Sequence, residues 1–508
     1  MSTPGGQAPA LAGPELSYHS GRGRWVLLAT ILGSAMASID ATVVGIALPA
    51  IGRDFHATLA SLQWVFTGYT LTLAGLLLFA GALGDRYGRK RVFLIGVVWF
   101  ALASLLCSVA MNTEVLIGAR ALQGVGAALL TPGSLAIIQA SFRPDDRSKA
   151  IGAWSGFAGV GTAIGPFIGG WLIQAVSWRL IFLINLPMAA LVIAVSLRHV
   201  PESRDEQATG RVDIAGGALI TAGLVGLTYG LIEGPIKGWA SPLPLSALFA
   251  GAILIAAFIW WEHRIDEPVL PLNLFKSAQF SSANVVTFIV YAALGGALFL
   301  LPIQLEQVLG YSALQAGVSL LPVTAIMLLL SAHSGAVAAR IGPRLQMTVG
   351  PLVIAGGLAL FSRIGHSGSY LTDVLPAVLV FGFGLAINVA PLTSTVLAAV
   401  PAEHAGAASA VNNDVARAAG LIAVAVLPAA AGLSERSYLH AAAFSSGFHK
   451  ASFLSAGLCL CGAVIAGLTI RNPSQAKAKL PRPARAPAGA RLHCALDAPP
   501  VHGSAPSG

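Results

Sequence analysis

Fourteen apolar runs follow one another along the chain, each near the about 20 residues that a bilayer core demands of a helix. They fall at 25 to 48, 62 to 83, 92 to 111, 115 to 139, 151 to 176, 180 to 198, 214 to 232, 243 to 261, 281 to 302, 313 to 333, 346 to 362, 371 to 398, 406 to 432 and 451 to 471. In lipid every backbone N–H and C=O must be satisfied within the protein, so runs of this length predict helices and an all-α polytopic membrane protein. Composition agrees, with 56% hydrophobic and only 10% charged residues, against roughly 25% charged in soluble domains. The net charge of +9 invites a nucleic-acid reading, but the cations are scattered through short loops and form no basic stripe with interleaved aromatics. Cys107, Cys459, Cys461 and Cys494 are too few for a disulfide framework and show no paired metal spacing.

Sidedness is written in the loops. With fourteen spans, 22 of the 30 Lys and Arg fall on one side and 6 on the other, leaving Arg120 and Arg417 inside spans. The cation-rich side is the cytoplasmic one, which puts both termini in the cytoplasm and the protein in the cell membrane. Dropping the pair 214 to 261 leaves this balance unchanged, so charge does not separate fourteen spans from twelve plus a re-entrant pair; hydropathy favours fourteen. Residues 1–24 lack the apolar core of a signal peptide and are expected to form a disordered lead, as are 472–508 a disordered tail. Between them the expected division is a six-helix half at 25–198, a cytoplasmic loop with two extra helices at 199–262, and a second six-helix half at 263–471.

The most charged loop reads GALGDRYGRKR and holds Gly81, Gly84, Asp85, Arg86, Gly88 and Arg89. Its glycines are expected to let two helix ends approach closely. Gly335 to Arg344, reading GAVAARIGPR, repeats it with Gly342 seven residues after Gly335 and Arg340 where Arg86 stands. The halves are therefore duplicates, except that Ala339 replaces the acid. In folds built this way, ligands bind between the repeats near the midplane.

Ionisable residues inside a membrane are costly and mark proton and substrate pathways. Asp40 in the first span and Arg120 in the fourth are at similar depth, which makes them candidates to pair. Such a pair either holds helices together statically or takes part in function. Gln123, Gly124 and Ala127 follow Arg120 at helical spacing, a stripe suited to a cavity wall. The fifth span carries Gly152, Gly161, Gly165, Pro166, Gly169 and Gly170, one largely bare side for close packing or for a pliable contact between halves. In the second half, Arg417 has Asp414 three residues before it on the same helix face as a possible neutralising partner. Gln304, Glu306, Asn388, Asn412 and Asn413 could line a cavity or bond neighbouring helices; His333 reads as interfacial.

Taken together these motifs resemble the major facilitator superfamily, in its fourteen-span drug:proton antiporter branch. The loop at Gly81 meets all eight specified positions of the pattern between that family's second and third helices. Gly152, Gly161, Gly165, Pro166, Gly169 and Gly170 match the antiporter signature. Asp40 to Pro49 is similar to the first-helix motif, although Gly45 stands where Asn is usual, and Asp213, Gly216 and Leu219 match the opening of the seventh helix. The resemblance, spanning residues 25–471, implies the major facilitator fold, two six-helix halves plus two inserted helices. It also implies proton-driven export of small, mostly lipophilic compounds by alternating access, with Asp40 and Arg120 linked to proton coupling and Asp85 to gating. The partners implied are a small-molecule substrate, protons and the bilayer, with no nucleic acid, no metal and no cofactor, the proton gradient being the energy source and a monomer the working unit.

Other classes lack support. GVGAAL at Gly124, GVGTAI at Gly159 and GFGLAI at Gly382 miss the third glycine of a dinucleotide fingerprint and lie in spans. A phosphate-binding Gly-Lys-Ser or Gly-Lys-Thr is absent from the sequence. A passive channel needs no duplicated gate, and the loops are too short for a sensor domain. Within transport, the alternative is a dedicated exporter of one metabolite, antibiotic or amino-acid-like compound.

Overall fold

Each apolar run becomes a helix, and six begin where a hydroxyl, amide or carboxylate caps the first free N–H groups. The computed structural model describes residues 16–205, 212–265, 268–365, 369–401 and 404–472. Ser20, Thr58, Asn112, Asp213, Ser277 and Ser312 cap in this way. The first six helices are α1 Gly21–Phe55, α2 Leu59–Tyr87, α3 Arg89–Ser108, α4 Thr113–Ser141, α5 Pro144–Ala175 and α6 Leu180–His199. Two follow as α7 Ile214–Lys237 and α8 Pro242–Glu262. The last six are α9 Ala278–Val308, α10 Ala313–Ile341, α11 Pro343–Phe361, α12 Tyr370–Ala398, α13 Ala405–Ala430 and α14 Ala441–Thr469. Thirteen are long and apolar enough to cross a membrane among the described residues, and α5, 32 residues long, stands fifth in the order. No strand occurs among the described residues beyond a single bridge between Leu16 and Phe142.

Several boundaries differ from the expected runs for local reasons. Leu16 is buried and donates its N–H to Ser141 O at 2.8 Å, so the chain is already docked before α1 begins at Gly21. Helix α14 starts ten residues earlier than its apolar run, because polar residues in AAAFSSGFHK are accommodated inside: His449 Nε2 lies 3.2 Å from Ile364 O and 3.3 Å from Ser445 Oγ. Helix α6 is broken at Ile184 and α10 at Leu320, while α9 ends in a π-turn over Gln304–Val308.

The packing is duplicated. In the first half α1 lies on α5 and α6, and α4 on α2 and α3; in the second, α9 lies on α13 and α14, and α12 on α10 and α11. The halves meet along two seams, α2 with α13 and α5 with α10. Helix α7 covers the first seam by touching both α2 and α13, with Gly75 against Thr221 and Gly217 against Phe79. Helix α8 packs chiefly on α7 and leaves most of its surface outward, which is how an added pair of helices enlarges the bundle without entering its centre.

One apolar core runs across both halves where α1 ends and α2 begins, joining Val44, Leu48 and Leu62 to Phe299, Leu301 and Phe444. The rings of Phe66 and Phe299 are 5.6 Å apart there. At the opposite end, a Cβ added at Gly84, Gly152 or Gly406 would meet nothing within 4 Å. The halves are therefore packed together at the end holding the α1–α2 turn.

Candidate functional site

The deepest polar cluster is built from four helices of the first half. Asp40 is 2% exposed, Arg120 1%, and Gln123, Ser104 and Asn185 are fully buried. Arg120 Nη1 donates to Asp40 Oδ2 and, at 2.6 Å, to Gln123 Oε1. Gln123 turns its amide to Asp40 Oδ1 and to Ser104 Oγ, both at 2.8 Å. Asn185 Nδ2 adds longer bonds to the same two acceptors, 3.5 and 3.3 Å. The guanidinium also donates from Nε to Val65 O at 3.3 Å and lies 4.4 Å from the centre of the Tyr69 ring. A buried ion pair is tolerable when its remaining lone pairs and protons are satisfied, and here both carboxylate oxygens accept.

The expected pairing of Asp40 with Arg120 is therefore present in the geometry, and Gln123 sits inside that network rather than on a cavity wall. Gly124, beside it, is pressed against Tyr69 and Thr72 of α2. Asn185, Ser104 and Tyr69 were not singled out from sequence; the signal for Asn185 was a lone amide in the apolar stretch FLINLPMAA.

The charged loop is latched within its own half. Asp85 Oδ1 accepts from Arg89 Nε at 2.8 Å, while the backbone N–H of Arg89 bonds Ser203 O and that of Asp205 bonds Asp85 O. Glu202 accepts from Lys90 N at 3.0 Å. Arg86 stacks over Tyr87. Gly88 ends α2 with φ of +111°, and Gly342 ends α10 with φ of +88°, so both repeats use glycine where a side chain is strained and a new helix starts at the next residue. Close helix approach is not the reason at the other two glycines: Gly84 faces open space, and Gly81 only touches Pro132 at 3.7 Å.

Helix α5 uses its bare side twice. Gly161, Gly165 and Gly169 lie on Ala35, Thr42 and Val43 of α1, whereas Gly170 meets Ala313 of the other half and Pro166 meets Gly317. Gly152 meets nothing.

The polar residues of the second half go to different places. Gln304 Nε2 bonds Ile364 O at 2.7 Å and Ser445 Oγ at 3.0 Å, tying helix ends together. Glu306 pairs with Arg53 of α1 at 3.4 Å across the closed end. Nearby, Gln63 Nε2 donates to Val424 O at 2.6 Å, and burial pushes the Tyr438 hydroxyl up from its ordinary pKa. Asn388 is fully buried against α11, with neither amide atom partnered among the described residues. Asn412, Asn413 and Arg417 line a cavity of about 320 Å³. Asp414 does not pair with Arg417 as their spacing allowed; it faces a separate apolar cavity beside Phe79 and Phe258. His333 is exposed and bonded to its own helix.

A family model described as Major Facilitator Superfamily matches residues 30–425. The chain belongs to the Major Facilitator Superfamily. It is similar to the puromycin resistance protein pur8 of Streptomyces alboniger, 34% identical over 468 residues that cover 89% of this chain and 92% of that one. It is 37% identical over 409 residues to the tetracenomycin C resistance and export protein of Streptomyces glaucescens, covering 80% and 76% of the two chains. Among solved structures, a bacterial homolog of the human lysosomal transporter Spinster superposes with a TM-score of 0.62 at 17% identity, covering 89% of this chain and 98% of that one. A POT family transporter does so at 0.66 and 13%, covering 89% and 97%. This major facilitator chain is thus a multi-pass membrane transporter, not an enzyme, and its helical halves have the family's fold.

Proposed function

We propose that this transporter exports small, mostly lipophilic compounds in exchange for protons, with Asp40 as the proton carrier. The observation that carries the reading is the Asp40–Arg120–Gln123 network: a carboxylate 2% exposed, in a span, held by an arginine that stays charged at any working pH. A group placed so has two natural states, ionised against the guanidinium or neutral, and alternating access exposes them in turn to the two sides of the membrane. The relatives named for resistance and export support the direction of transport.

By the charge of its loops the end holding the α1–α2 turn is the outer one, so the halves are held together outside by the Arg53–Glu306 pair and the shared apolar core. Both termini then lie in the cytoplasm of a cell-membrane protein working as a monomer, with the proton gradient in place of a cofactor. The relatives named for single antibiotics favour a second reading, a dedicated exporter of one compound.

Inside-out vesicles with an imposed pH gradient test both. Uptake of several unrelated lipophilic compounds that collapses with the gradient is the expected result; uptake of one compound only selects the dedicated exporter, and uptake indifferent to the gradient overturns proton exchange.

A further inference from the structure

Resting on the export reading, we infer that the cavity beside Arg417 is a subsite for the acidic oxygen group of the substrate, a carboxylate or an ionised phenol on an otherwise apolar molecule. The cavity, about 320 Å³, is bounded by α9, α12 and α13 and lined by Tyr291, Thr393, Ser409, Asn412, Asn413 and Arg417 among others, none of them an acid. Pockets for small molecules run from about 300 Å³ upward, so it holds one ring with its acid group rather than a whole large compound.

Arg417 has no ion-pair partner at this place. Its Nε is buried with no hydrogen-bond partner, and among the described residues no carboxylate lies within ion-pair distance of it. Asp414, three residues earlier, opens into the other cavity with its own Oδ1 unpartnered. The other arginine in the membrane, Arg120, is neutralised by Asp40. A guanidinium cannot shed its proton, and an unpaired charge in the membrane interior is costly. An incoming anion relieves that cost, and the planar fork suits the two oxygens of a carboxylate.

The two lining amides are set rather than free. Asn412 Nδ2 donates to Asn284 Oδ1 at 3.1 Å and to Thr287 Oγ1 at 2.8 Å. Asn413 Nδ2 donates to Ser409 O at 2.9 Å. The cation is left as the charged donor, with Tyr291 beside it in the lining.

A cavity cysteine reads the charge preference without any transport. Ser409→Cys, in a background where Cys461 and Cys494 are serine, is reacted in phosphatidylcholine vesicles with the anionic sulfonatoethyl and the cationic trimethylammonioethyl methanethiosulfonates. Normalised to a free thiol, the anionic reagent is expected to gain by about tenfold or more, since a unit charge a few Å away is worth over 1 kcal/mol in such a site. Arg417→Gln should abolish the gain and Arg417→Lys should keep most of it. 2-Naphthoate should protect the cysteine and 2-naphthyltrimethylammonium should not. Equal or greater protection by the cation, or an anionic preference that survives Arg417→Gln, overturns the assignment. Labelling already blocked when phosphatidylglycerol is included, with naphthoate adding nothing, would give the cavity to a lipid phosphate and overturn it as well. Because no gradient is involved, failure here leaves proton-driven export standing, and failure of export leaves this result readable.

Discussion

Asp40 accepts from three side chains, and the network loses different things at different positions. In Asp40→Asn the amide resembles the neutral acid but cannot release a proton. Uphill efflux in vesicles with a pH gradient should fall to background while downhill exchange of substrate persists; retained accumulation against a gradient would move the proton elsewhere. Arg120 spreads its bonds over Asp40, Gln123 and Val65 O from a rigid fork. A lysine offers a point charge on a flexible stem, so Arg120→Lys should cost about 1–3 kcal/mol of interaction, seen as a tenfold or greater drop in transport rate. Asn185, with its two longer bonds, should matter less: Asn185→Ala is expected to slow transport by under about tenfold, and a loss as deep as that of Asp40→Asn would show that Asn185 itself is essential to the network.

At the scale of elements, the junction of α2 and α3 depends on one backbone conformation. Gly88→Ala places a Cβ at φ +111° and 2.8 Å from a Glu202 oxygen. A side chain held in so sparsely populated a backbone region costs about 1–3 kcal/mol, and the Glu202–Asp205 segment would be pushed off the loop. Transport should slow severalfold, and Glu202→Ala, which frees the latch without straining the backbone, should show part of that loss. Asp85→Asn keeps the loop's shape but weakens the bond to Arg89. Its expected signature is slower turnover with substrate binding nearly unchanged, checked by equilibrium binding alongside transport rates.

For the molecule as a whole, the closed end rests on a shared apolar core, the Gln63–Val424 bond and one ion pair. Glu306 is nearly buried while Arg53 is 62% exposed, so Glu306→Gln removes a charge-assisted bond without emptying space. The population should shift toward opening at that end, read as a longer spin-label distance between cysteines placed at Leu59 and Gly432; an unchanged distance would show that the end stays shut without the ion pair. Sidedness has its own check, since impermeant maleimide should label Cys494 in inside-out vesicles and not in intact cells.

Membrane class, span order, the repeat at Gly81 and Gly335 and the pairing of Asp40 with Arg120 were legible in the chain. Bilayer thickness sets helix length, an unpaired charge in the membrane is costly, and the acid and base fell at matching depth. Apart from that pair, partners on other helices were not legible. Nothing local distinguishes Gln304, which ties helix ends, from Asn412, which borders a cavity, or says that Glu306 crosses to Arg53. Likewise Asp414 and Arg417 share a face by spacing yet open into separate cavities. Those outcomes depend on how rotated helices from two halves meet, and a run of small apolar residues leaves helix rotation nearly free until the neighbours pack. The sequence by itself determined which residues lie in the membrane and at what depth, because hydropathy and length act one helix at a time; only the tertiary structure decided which of them touch.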